Sequence, residues 1–157
     1  MITIRRFEAG DCEEISRMEE RSSGSLYGAY VFIRQMQAIA GDTFFIATAD
    51  DDIAGYTIGS IVGSSPDTGW ILRLQVAEHN KRNGIGRRLM DQLLTTFEEM
   101  GVAQVLLSVS PENHAALPLY RSLGFIDDSF EPDYFGPGID RLILRKQMDA
   151  PSDQPEL

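Results

Sequence analysis

The order of its elements predicts an α/β (α+β) fold for this chain, a mixed sheet with helices on both faces. Three observations carry that prediction. Apolar spacing switches between a two-residue and a three-to-four-residue repeat, so strands and helices follow in the order β-α-α-β-β-β-α-β-α-β. A length of 157 residues with 43% hydrophobic content suits one globular domain with its own core. No internal repeat and no linker divides the chain, so a single domain over 1–148 is expected. A tail over 149–157, with two prolines and three acids, is expected to be disordered.

The elements read as follows. Ile2 to Phe7 alternates and suits an edge strand. Asp11 reads as the N-cap of a first helix, with an acid three residues on and Ile15 and Met18 on one face. A second helix runs from about Ser25 to Ala40, where Gly41 ends it. Phe44 to Ala49 and Ile53 to Val62 flank the acidic tip Asp50-Asp51-Asp52 and read as a hairpin. Gly63 to Gly69 reads as a loop. From Trp70 to Val76, residues Trp70, Leu72, Leu74 and Val76 face one way and Ile71, Arg73 and Gln75 the other. Ile85, Leu89, Leu93, Phe97 and Met100 recur at helical spacing until Gly101. Val105, Leu107 and Val109 mark a strand. Pro111-Glu112-Asn113 introduces a helix ending at Leu123-Gly124-Phe125, within which Pro118 is expected to free the carbonyl of His114. Asp127 to Gly138 reads as an acidic loop, and Ile139 to Gln147 as the last strand.

Composition narrows the function. A formal net charge of −10 argues against general nucleic-acid binding and is compatible with cationic or amine partners. No run of residues is long and apolar enough to span a bilayer, and the first residues lack the apolar core of a secretory signal. A single cysteine, Cys12, cannot form an internal disulfide, so a cytoplasmic setting is expected. Neither His79 nor His114 stands at metal-ligand spacing, and no metal is expected.

Against that acidic background, four of the 14 basic residues (Lys81, Arg82, Arg87 and Arg88) fall within eight positions. They surround Gly84-Ile85-Gly86 at the start of a helix, where outward amides, the helix dipole and a glycine backbone together favour an anion. A dinucleotide fingerprint would need a third glycine and a distant acid, and a Walker A loop would need Gly-Lys-Ser/Thr; neither is present. A solvated basic turn is the plainer alternative.

One strand later comes Asn113-His114-Ala115-Ala116-Leu117-Pro118-Leu119-Tyr120, closed by Gly124-Phe125. The two stretches together resemble the GNAT acyl-CoA N-acetyltransferase superfamily, strongly from Trp70 to Phe125 and in element order over Met1 to Met148. The resemblance implies a mostly antiparallel central sheet with splayed middle strands, acetyl-CoA as cosubstrate and an amine acceptor. It also implies roles for individual residues. The backbone amides of Gly84, Ile85, Gly86, Arg87 and Arg88 would hold the diphosphate of coenzyme A. Val76 would pair with the pantetheine arm, and the Leu74 amide would meet the thioester carbonyl. Asn113 would contact pantetheine, and Tyr120 would act as the acid near the sulfur. Lys81 stands where Gln or Arg is usual, and Arg82 where glycine is common. Lys81 keeps the charge but loses the planar fork, so an altered phosphate contact is expected there.

The chemistry these roles describe is attack of a neutral amine on a thioester. A donor must meet the developing oxyanion, which the Leu74 amide can do if its strand is bulged. A phenol, with reference pKa of about 10, can donate to a departing thiolate. Tyr120 stands seven residues after Asn113, two helical turns along one face; a plain core tyrosine is the other reading. No general base is identifiable: Ser108 occupies the strand position where some members of the superfamily carry glutamate, and Glu112, Glu78 and Asp127 remain as candidates. Acceptor contacts are expected from Tyr27, Tyr30 and their neighbours and from the run Tyr134 to Arg141. That run resembles one in ribosomal-protein and N-terminal peptide acetyltransferases, and it would equally suit a polyamine. A catalytically silent acyl-CoA-binding module is the alternative function. The expected partners are acyl-CoA and an amine acceptor, with a homodimer left open and no nucleic acid or membrane.

Overall fold

The computed structural model describes residues 1–149; apart from Asp149, the expected tail lies outside the described residues. The elements are β1 (Ile2–Arg6), α1 (Cys12–Ser23), α2 (Leu26–Ala40), β2 (Phe44–Ala49), β3 (Asp52–Val62), β4 (Ser65–Val76), α3 (Ile85–Glu99), β5 (Gln104–Val109), α4 (Ala116–Ser122), β6 (Ile126–Glu131) and β7 (Arg141–Gln147). The seven strands lie in the order β1-β2-β3-β4-β5-β7-β6. Pairing is antiparallel for β1–β2, β2–β3, β5–β7 and β6–β7, and parallel for β4–β5. This is the mixed sheet with flanking helices that the sequence predicts, with one strand more. Among the described residues, no helix is long and apolar enough to cross a membrane.

The chain forms two compact units, one of Met1–Ser60 and Arg73–Thr96, the other of Ile61–Leu72 and the chain from Phe97 onward. In the first unit β2 is buried continuously from Phe44 to Thr48, as a strand covered on both faces must be. Neighbouring residues of β3 show what covers it. The Tyr56 hydroxyl donates to Glu19 of α1, whereas Gly55 faces Leu89 of α3, so the two helices lie on opposite faces. α3 sits there because Ile85, Leu89, Met90 and Leu93 are all buried, each contributing roughly 2 kcal/mol of transfer free energy. Ser25 caps α2, its hydroxyl accepting from the Gly28 amide at 3.0 Å. Asp50 and Asp51 both adopt left-handed φ (51° and 71°), the conformation a two-residue hairpin turn demands.

Asp11 departs from expectation. It precedes α1, but its side chain caps nothing there. Its carboxylate takes two bonds from the Arg5 guanidinium at 2.8 Å each and one from the Glu8 amide at 2.8 Å. A bidentate ion pair is a stronger partner than a single helical amide, and it holds the Asp11 carboxyl below its ordinary range.

The second unit corrects four expectations. The loop expected over 63–69 is shorter, since β4 begins at Ser65. Thr68 and Gly69 pair with Gln104 and Val105, and the Phe97 ring lies so close that a Cβ on Gly69 would approach it to 2.9 Å. That glycine serves packing and does not mark a turn. α4 is seven residues long and starts at Ala116, so Asn113 precedes it and the two-turn spacing from Asn113 to Tyr120 does not hold. Pro118 falls in the first turn, where a missing N–H has no intrahelical partner to lose, so it interrupts nothing. The stretch expected as an acidic loop from Asp127 contains β6, paired along one side with β7. β6 ends the strand order, and acids on an edge strand discourage a further strand from adding.

Candidate active site

In the first unit the candidate residues are built around the end of β4. Its parallel pairing with β5 runs only from Thr68–Gln104 to Ile71–Leu107, so Leu74 and Val76 lie beyond it. Both are half-buried apolar side chains. The Arg73 carbonyl accepts a 2.8 Å bond from the hydroxyl of buried Thr57 on β3. A trans peptide points its N–H opposite to its C=O, so the Leu74 amide is aimed away from Thr57. The Ala77 amide returns to β3, donating to the Ala54 carbonyl at 2.7 Å.

A short 3-10 turn, Glu78–Asn80, then leads into the basic glycine turn. Arg82 and Gly84 are both left-handed, with φ of 71° and 76°. For glycine this costs nothing, and a Cβ built there would meet no atom within 4 Å, so the space before Gly84 is open. For Arg82 the same conformation is strained, which explains why a glycine suits that position. The first helical bond of α3 joins the Arg88 amide to the Gly84 carbonyl at 3.1 Å. The amides of Arg82, Asn83, Gly84, Ile85 and Gly86 have no backbone partner among the described residues. They form a row of outward donors at a helix start, which fits a diphosphate.

Arg88 does not belong to that row. Its amide is engaged in the helix, and its guanidinium donates to the Ile2 carbonyl at 2.8 Å. Lys81 is turned back onto Glu78 at 2.8 Å. That contact lowers the Glu78 pKa, which makes Glu78 a poorer base than an ordinary carboxylate. Arg87 is exposed at the end of the row.

Tyr27, on α2, is 81% exposed, and Tyr30 is half-buried. Phe32 on the same helix carries the Arg73 guanidinium over its ring at 4.5 Å. Arg73 also donates through Nε to Glu19 at 2.8 Å, and Glu19 is completely buried. Glu19 accepts from the Tyr56 hydroxyl and from the Ser23 hydroxyl, the latter at 3.0 Å. Burial first, then the Glu19 charge, hold the Tyr56 phenol protonated well above its ordinary range. Sequence reasoning missed this cluster. Its trace was a glutamate one helical turn after Ile15, on the helix face that turns inward, and an arginine inside the apolar run Trp70 to Leu74.

In the second unit Tyr120 is buried at 8% exposure and meets Phe125 edge-on, with ring centroids 6.0 Å apart. Its hydroxyl has no hydrogen-bond partner among the described residues, and burial pushes the phenol up to about 12. It is therefore a protonated donor throughout the neutral range. Asn113 is exposed, and its side-chain oxygen caps the start of α4, accepting from the Ala116 amide at 3.1 Å. Of the other base candidates, Glu112 is exposed and Asp127 pairs with Arg121 at 3.4 Å, while Ser108 is half-buried opposite Ile143. Tyr134 opens the β6–β7 loop, 43% exposed, with Phe135 at 4.8 Å and Arg141 stacked 5.0 Å from the Phe135 ring. Two carboxylates tie this loop to itself: Asp140 accepts from the Asp133 amide, and Asp133 from the Gly138 amide. The aromatic pair thus rides on a braced loop.

A sequence model of the acetyltransferase (GNAT) family matches residues 11–125. A ribosomal protein bS18-alanine N-acetyltransferase from Escherichia coli is 28% identical over 137 residues, covering 86% of this chain and 88% of that protein. An N-alpha-acetyltransferase from Sulfurisphaera tokodaii is 24% identical over 151 residues, covering 90% of each. Among solved structures, Ard1 from Thermoplasma volcanium superposes with a TM-score of 0.84 at 25% identity, covering 94% of this chain and 98% of that one.

Proposed function

Because this chain belongs to the acetyltransferase (GNAT) family and is an acetyl-CoA-dependent N-acetyltransferase, we propose that its acceptor is the amino group at the N-terminus of a protein or peptide. One observation carries this reading. Two relatives matched over most of their length are described by such acceptors, one an alanine of a ribosomal protein and the other an N-alpha position. The exposed Tyr27 and the braced Tyr134–Phe135 pair support it, since aromatic faces of that kind suit a peptide chain.

In this reading the amides from Arg82 to Gly86 hold the diphosphate of acetyl-CoA with Arg87 beside them, and Val76 carries its extended arm along the edge of β4. Lys81 and Arg82 add positive charge at long range, and Asn113 contributes by shaping the start of α4. The acceptor amine forms a C–N bond to the acetyl carbon while the C–S bond breaks. Negative charge on the carbonyl oxygen is met by the Leu74 amide. The departing sulfur is met by the Tyr120 hydroxyl. A phenol near 12 gives up its proton less readily than a thiol near 8.5, so Tyr120 acts chiefly as a hydrogen-bond donor to the developing thiolate. The nitrogen loses its proton to solvent, because no side chain among the candidates is both unpaired and poised as a base.

Free thiol release from acetyl-CoA, measured across a panel of peptides, lysine derivatives and polyamines, tests the proposal. Turnover on free peptide N-termini, absent when the same peptides are N-terminally blocked, is the expected result. Faster turnover on a polyamine would reject it. Tight coenzyme A binding with no transfer to any amine would favour a silent acyl-CoA-binding module instead.

A further inference from the structure

We propose that Arg73 is a positioning residue for acetyl transfer, clamped by Glu19, Phe32 and Thr57 so that the next amide, that of Leu74, stays aimed at the reacting carbonyl. The inference rests on the acetyl-transfer reading given above. Three contacts hold this one residue from different elements. Its Nε donates to the fully buried Glu19 on α1 at 2.8 Å, its guanidinium lies 4.5 Å from the Phe32 ring on α2, and its carbonyl accepts from Thr57 on β3 at 2.8 Å. Rotation about the Arg73 backbone is thereby restrained at both the side chain and the carbonyl. The carbonyl belongs to the same rigid plane as the Leu74 N–H, so the clamp passes directly to that donor.

The cluster is costly unless it has a use. The Glu19 charge is withdrawn from water completely and that of Arg73 in part, where apolar residues of similar volume would pack as well or better. Glu19 cannot reach an acceptor, being completely buried and surrounded by the hydroxyls of Tyr56 and Ser23 and by Arg73. It acts only through Arg73. The same clamp binds α1 and α2, which carry the exposed Tyr27, to the strand that carries Leu74, so acceptor contacts and oxyanion donor keep one register.

The test is a triple variant, Glu19→Met, Tyr56→Phe and Arg73→Met, which removes both charges and the Tyr56 hydroxyl together and so leaves neither ion of the Glu19–Arg73 pair stranded. It is expected to unfold within a few degrees of wild type and to bind coenzyme A within about twofold, while kcat falls at least about tenfold. A folded triple variant turning over at the wild-type rate would overturn the clamp. So would a parallel loss of coenzyme A affinity, melting temperature and kcat, which marks a scaffold. If the triple variant fails to fold, Arg73→Lys keeps Glu19 paired but loses the planar stack, and an unchanged kcat there also overturns it. Wild-type enzyme inactive on every amine would instead reject the acetyl-transfer reading, and the role of Arg73 with it.

Discussion

The glycine turn at 81–88 and the cluster around Glu19 both organise charge, and they do so by opposite means. In the turn the groups proposed to hold the anion are main-chain amides facing open space, and the basic side chains around them are loosely committed. Lys81 leans on Glu78, and Arg88 on a β1 carbonyl. In the cluster the working groups are side chains, and Glu19 at its centre is out of reach of solvent. The difference sets what each can tolerate. A site built from amides survives changes of side chain, such as lysine at 81 or arginine at 82, so long as the backbone path holds. A buried ion pair survives only changes that remove both partners, since losing one leaves an uncompensated charge.

Four substitutions can break or sharpen this contrast. The largest effect is expected from Gly84→Glu, which strains a left-handed position and sets a charge against the diphosphate. At about 4 Å and an effective dielectric near 20 the repulsion is about 4 kcal/mol, roughly a thousandfold in coenzyme A affinity by calorimetry. Tyr120→Phe is expected to lower kcat about a hundredfold while leaving that affinity unchanged. Because burial raises the phenol to about 12, wild-type kcat should show no falling limb from Tyr120 until pH approaches that value. By the same sign, any stability that the buried neutral phenol contributes is complete below its unfolded pKa of about 10 and is lost as pH rises from there through about 12. Thr57→Val removes the hydroxyl that holds the Arg73 carbonyl at nearly constant shape. A loss of about 1 kcal/mol, near fivefold in kcat, is expected, and an unchanged rate would show that the side-chain half of the clamp suffices. The smallest effect is that of Arg82→Gly. Relief of left-handed strain, partly offset by a freer unfolded chain, should raise the melting temperature by about 1–3 °C and shift coenzyme A affinity by less than about threefold.

Much of the architecture was legible in apolar spacing. The strands Val105 to Val109 and Trp70 to Val76 and the helix from Ile85 kept their places, because each alternates or repeats over enough residues to specify its own period. Errors fell where local chemistry and tertiary position disagree. Gly69 looks like a loop residue but is buried beneath Phe97, and the acids of β6 look like a loop but belong to an edge strand. The start of α4 was misplaced because Pro111 and Asn113 are both good helix-start signals, and the chain begins the helix three residues after the second of them. Of the candidate site, the glycine turn stood out by concentration of charge, and it is a local structure. The clamp on Arg73 did not, because Glu19 and Arg73 lie 54 residues apart and nothing local pairs one with the other.

By its own content the sequence determined the α/β class, the resemblance to the family and the gathering of basic residues around one glycine turn. The class rests on the order of elements that apolar spacing reveals, the resemblance on two matching stretches, and the turn on neighbouring residues alone. The tertiary structure alone decided which amides stay open, which arginine is tied to β1, and that a glutamate and an arginine meet under a tyrosine hydroxyl. Those outcomes depend on packing between distant elements, and burial is what turns an ordinary charge into one that must find its partner.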